Sequence, residues 1–114
     1  METNLPELCR RVWKVAPKSQ PESVKVHGEM IVGSIGMDSQ GYIDAIQAAA
    51  LRWLLANDGM GFTSHYGKGT GRYFVASENT YPDTTCVWHA TDKDLTTCLL
   101  LAVERCQEYK ESKE

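Results

Sequence analysis

A chain of 114 residues fits one domain, and 42% apolar against 24% charged residues is enough to bury a core. The net charge of −3, with acidic and basic residues mixed along the chain, argues against a non-specific nucleic-acid binder and is too small for a DNA mimic. No apolar run approaches a membrane span, and the start Met-Glu-Thr-Asn lacks the basic and apolar regions of a signal peptide, so a cytoplasmic protein is expected.

In chain order, Asn4 or Thr3 is placed to cap a first helix that tolerates Pro6 in its first turn. Leu5, Leu8, Cys9, Val12 and Trp13 form one apolar stripe, with Arg10, Arg11 and Lys14 on the other side and Pro17 as the stop. Residues 16–24 are polar and carry two prolines, which predicts a connecting loop. Val24–His27 alternates and predicts a short edge strand, whereas Met30–Val32 is open between strand and loop. Asp38 or Ser39 caps a second helix over Gln40–Asn57. Ile43, Ile46, Ala50, Trp53 and Leu54 are its apolar positions, and Ala45, Ala49, Leu51 and Leu55 widen the face into one that expects cover. Phe62–Tyr66 predicts a strand, and residues 59–71, with five glycines, predict a loose glycine-rich hairpin.

The stretch Arg72–Tyr109 carries the strongest pattern, and the rest of the chain is expected to be organised around it. Arg72–Ser77 and Thr85–Ala90 read as strands, separated by turn residues Glu78–Asp83 that include Pro82. Thr91–Asp94 has the form of a capping box for a final helix. Leu95, Cys98, Leu99, Ala102, Cys106 and Tyr109 then recur at three- and four-residue spacing, and residues 110–114 form a charged, frayed tail. Leu95, Leu99, Ala102, Trp53, Leu54 and Phe74 are expected in one core. The whole predicts an α+β domain over residues 1–114. Its expected form is a small antiparallel sheet of three to four strands with three helices, in the order α-β-α-β-β-β-α.

Candidate chemistry is sparse. Gly67–Gly71 with Lys68 does not fit a phosphate loop: Phe62 stands where the first glycine belongs, Gly69 follows the lysine, and a strand comes next instead of a helix. Cys86 and His89 are three apart on a strand and so face opposite ways, which excludes a shared metal without a bulge. A Cys86/His65 or Cys86/His89 nucleophile pair lacks an activating cation or helix start. Cys9, Cys86, Cys98 and Cys106 lie in apolar patterns and read as reduced core thiols. No metal, cofactor or catalytic residue is assigned. The binding candidates are Tyr66, Tyr73 and Tyr81, with Lys68 and Arg72 supplying positive charge on an acidic chain.

Four packing motifs resemble the phage ABA sandwich domain, a family of small phage and prophage proteins. They are Tyr42–Ala45 leading to Leu51 and Leu54, the strand Tyr73–Val75, the corner Val87–Thr91, and Thr97–Val103 on the last helix. Residues 59–71 and Asp92–Asp94 depart from what that family leads one to expect. The resemblance implies a phage-derived accessory protein in a bacterial cytoplasm, and it transfers no catalytic residues. Together these readings predict a non-enzymatic binder of a host protein, for instance a defence component. The alternative is a binder that sequesters a small phosphorylated ligand such as a nucleotide signal, and a Cys/His hydrolase ranks third. Ten aromatic residues and wide apolar helix faces also predict a homo-oligomer.

Overall fold

The computed structural model describes residues 4–34, 36–57, 62–77 and 88–112, with the backbone alone at 62–65. Helix α1 spans Leu5–Val15 and starts at Asn4, whose Oδ1 accepts the Glu7 N–H at 3.2 Å. Leu8, Cys9, Val12 and Trp13 are its buried residues, as the helical period dictates. The helix ends at Pro17 as expected. The segment after it, however, is more than a connecting loop. Pro17–Ser19 makes a 3-10 turn, the Ser19 hydroxyl donates to the Ala16 carbonyl at 2.7 Å, and Ala16, Ser19, Pro21 and Val24 are buried. Apolar residues at both ends of the segment pin it to the core, which outweighs its polar composition.

Strand β1, Val24–His27, pairs antiparallel with β2, Met30–Gly33. Gly28, with φ at 63°, takes the first central position of the two-residue turn between them, the place a type II′ hairpin reserves for glycine. Arg10 donates to the Gly28 carbonyl and ties this turn to α1. The hairpin is a sheet of its own and does not join the main one.

Helix α2 covers Ser39–Asn57, opened by Asp38, whose Oδ1 accepts the Gly41 N–H at 2.8 Å. Ile46, Ala49, Ala50, Trp53 and Leu54 are buried. Leu51 and Leu55, expected to widen that face, are instead 37% and 70% exposed.

The main sheet has the antiparallel order β3-β4-β5, from β3 at Phe62–Gly67, β4 at Arg72–Ser77 and β5 at His89–Asp92. The last strand therefore lies later than the expected 85–90. Trp88 precedes it as a buried residue, and residues 78–87 lie outside those described. Thr91 pairs with Phe74 in the ladder and is not a helix cap. The cap is Asp94, directly before helix α3 at Leu95–Ser112. Its Oδ2 accepts the Thr97 N–H at 2.9 Å and the Thr97 hydroxyl at 3.0 Å. The Asp92 carboxylate in turn accepts the Asp94 N–H at 2.9 Å. Aspartate at this position satisfies the first-turn amide and meets the positive end of the helix dipole. At the other end, the helix continues past the expected start of fraying. Lys110 Nζ donates to Asn57 Oδ1 at 2.7 Å and lies 5.6 Å from the centre of the Trp53 ring.

Helix α3 is the hub: it packs against α1, α2, β4 and β5. Cys98, Leu99, Leu100, Ala102, Val103 and Cys106 are buried on it, together with Trp53 and Leu54 of α2 and Val75 of β4. Phe74 is not with them. Strand alternation sends it to the sheet face opposite Val75, where its ring stacks on His89 at 6.0 Å between centroids. Leu95 is half-buried at the edge of the core. The helix also buries a charge, Glu104, which Arg11 of α1 meets with two hydrogen bonds at 2.7 and 3.1 Å. The fold of the described residues is thus α+β, with three helices and two antiparallel sheets of two and three strands. None of the described helices is long and apolar enough to cross a membrane.

Candidate functional site

The β3–β4 hairpin brings the candidate residues to one end of the sheet and then divides them between its faces. Gly67 pairs with Arg72 as the last rung, and the Gly67 carbonyl accepts the Gly71 N–H at 2.8 Å and the Thr70 hydroxyl at 3.2 Å. Gly71 has φ at 68°, a left-handed conformation that glycine adopts without a Cβ clash. The tip expected to be loose is therefore closed by its own hydrogen bonds.

Tyr66 and Tyr73 are directly opposite each other, and their rings lie 4.8 Å apart at 57°. Such a tilted cross-strand pair suits the ring quadrupoles. Tyr73 packs partly against the core, which holds the pair in place, while Tyr66 remains 50% exposed. Arg72 is one residue from Tyr73 and so faces the other side. Its guanidinium donates to Thr91 Oγ1 at 3.3 Å and to the Thr91 carbonyl at 3.4 Å, beside the Phe74–His89 stack. Lys68 is exposed in the tip between the two faces. Arg72, expected to supply exposed positive charge, is half-buried and fastened. Tyr81 lies outside the described residues, as do Cys86 and the two nucleophile pairs built on it.

Thr91 and Phe74 lie beside Arg72 and His89 at this end of the sheet, a placement that sequence reasoning missed. The sequence pattern assigns Thr91 to a helix cap and Phe74 to the core. The usable signal is the strand period from Arg72: residues 72, 74 and 76 share a face, and a β5 that extends to Asp92 places His89 and Thr91 on that same face.

The thiols near this end are not activated. Cys98 donates to the carbonyls of Ala90 at 3.5 Å and Tyr73 at 3.7 Å. Burial pushes its thiol up to about 11, and the Asp92 carboxylate pushes in the same direction. Burial alone pushes Cys9 to about 12. Cys9 and Cys98 are free thiols, and Cys9, Cys98 and Cys106 are all buried. Among the described residues no group of three His, Cys, Asp or Glu is close enough to hold a metal ion.

A groove of about 650 Å³ lies elsewhere, between α2 and the segment after α1. Ala45, Ala48, Ala49 and Ala56 form its floor, and Lys18, Glu22 and Arg52 stand at its rim. It exists because short alanines face a segment that begins with a tight turn. Ala48, Ala49 and Ala56 follow Ala45 by three, four and eleven residues, the spacing of one helix face, and that was the sequence signal for it. Comparison of the chain with protein-family models, with curated proteins and with solved structures gives no match.

Proposed function

We propose that this chain works by binding, with no chemistry of its own, and that its working face is the end of the β3–β4 hairpin. The observation that carries the reading is the Tyr66–Tyr73 pair. A half-exposed aromatic ring is braced from beneath by a ring that the core holds, beside an exposed lysine. A preset aromatic loses little side-chain freedom on contact, which is what an interface anchor requires. Lys68 suits an acidic patch on the partner, and long-range attraction between them weakens as salt rises.

A protein partner is preferred over a small phosphorylated ligand. Enclosing a phosphate calls for basic groups that converge in a concavity. Here Arg72 turns away from the tyrosine pair and is occupied with Thr91. The phage setting, with a host protein such as a defence component as target in a bacterial cytoplasm, rests on the packing-motif resemblance and remains part of the proposal.

The test compares wild type with the double variant Tyr66→Ala, Lys68→Ala in capture from bacterial host lysate, followed by mass spectrometry of proteins and small molecules. The variant is expected to keep its far-ultraviolet circular dichroism and lose the captured protein, and wild-type capture should weaken with salt. A folded double variant that binds the same protein with unchanged affinity refutes this face. A phosphorylated small molecule recovered in place of a protein supports the alternative.

A further inference from the structure

The outer face of α2 carries a pattern that the hairpin reading does not use. Asp44, Ala48, Leu51, Arg52 and Leu55 recur at three- and four-residue steps and lie within roughly 100° of helix circumference. Four of them are exposed, Leu55 at 70%, and Ala48 is half-buried. A helix with apolar residues on both its buried and its open face is one that expects a second neighbour.

The charges say which neighbour. Asp44 and Arg52 are opposite in sign and on the same face, but eight residues apart, about 12 Å along the axis, too far for an ion pair. Asp44 accepts only the Gln40 side-chain N–H, and Arg52 has no polar partner among the described residues. Ala48 sits midway between them. A two-fold axis through Ala48 that runs α2 antiparallel to a copy of itself brings Asp44 level with Arg52 of the copy, twice. The same operation sets the small Ala48 beside its own copy and brings Leu55 up to Gly41 and the Met37 side chain that lies over it. Small meets small at the axis, and each charge comes level with its opposite. This is the condition a two-fold interface must satisfy, since one patch has to complement itself.

We infer that the Asp44–Leu55 face of α2 docks a second copy of this chain, antiparallel and centred on Ala48. The surface goes beyond the hairpin end and does not depend on it. It assigns Leu51 and Leu55 the role that the monomer leaves open, and it gives the expected homo-oligomer a defined interface. Alanine at the axis lets the helices approach closely, and the Arg52–Asp44 pairs at the rim set the register.

Sedimentation of the full chain over a range of concentrations tests this, with circular dichroism as the check on folding. Wild type should be a dimer. Asp44→Arg and Arg52→Asp should each weaken dimerisation by about tenfold or more, because like charges then face each other twice. The double variant Asp44→Arg, Arg52→Asp should restore it. A second arm avoids any dependence on charge: Ala48→Cys should form a covalent dimer on mild oxidation, which wild type under the same treatment does not. A monomeric wild type overturns the proposal. So do single reversals that leave the dimer constant unchanged, a double reversal no better than either single one, or an Ala48→Cys chain that does not cross-link.

Discussion

Arg11→Met tests how much of the fold depends on one ion pair between the first and last helices. Glu104 lies mid-α3 with its side chain only 10% exposed, and Arg11 supplies both of its short hydrogen bonds from a side chain that is 55% exposed. Methionine keeps much of the apolar stem and removes the guanidinium. The carboxylate is then left with Arg105 alone, whose nearest nitrogen is 3.8 Å away. Stranding one partner of a fully buried pair costs about 3–5 kcal/mol. The exposure of Arg11 lets water reach one side of this pair, so about 1.5–2 kcal/mol is expected after that discount. For a domain of this size that is a fall in Tm of roughly 6–10 °C. Urea and thermal unfolding measure it directly. The double variant Arg11→Met, Glu104→Leu should recover most of the loss, because it strands no charge. An Arg11→Met chain within about 0.5 kcal/mol of wild type would refute the reasoning. So would a double variant less stable than the single one.

Leu99, 2% exposed on the hub helix, should cost about 2–5 kcal/mol when cut to alanine; an unchanged urea midpoint would remove it from the core. Gly71→Ala should cost about 1–2 kcal/mol through its positive φ, and Gly71→Asn should cost less, as read by thermal unfolding. The buried thiols predict a pH dependence of defined sign. Cys9 and Cys98 are raised in the folded chain from 9.0 to about 12 and about 11. Their stabilising contribution is therefore complete below pH 9.0 and lost as pH rises through about 11 and 12, since the unfolded chain loses its thiol protons first. Urea unfolding at pH 8 and pH 10, ~1 unit either side of the free thiol, should show that loss. The variant Cys9→Ala should flatten its share, and equal stability of wild type at both values would contradict the burial.

The helices were legible by their period, and α1 and α2 also by their caps. Asn4 and Asp38 both bond the amide three residues on, and the stripes of α1 and α3 are buried where the spacing put them. Strand ends were not legible, because β-branched and aromatic residues continue across a bend as readily as along a ladder. Trp88 looks like strand and is a bend; Thr91 looks like a cap and is strand. That shift of one corner changes what surrounds Arg72. Strand alternation turns Arg72 from the tyrosine face, and Thr91 in the ladder gives it a partner there. Composition likewise concealed the 16–24 segment, where Ala16 and Val24 at the margins outweigh the polar residues between them. Leu51 and Leu55 could not be placed from the sequence, since periodicity reports that a face is apolar and not what covers it.

The position of α3 as hub has a consequence for how the chain is made. Leu8, Val12, Trp53, Leu54 and Val75 all reach their final burial only in a core that α3 completes. On a ribosome, Ser77 emerges well before Ser112, by ~2–7 s at ordinary rates of synthesis. For that interval α1, α2 and the finished strands wait with apolar sides open to water or to chaperones. The nascent chain is then sticky for seconds before it becomes a protein, and slowing synthesis within codons 95–112 should lower its soluble yield more than slowing it anywhere earlier.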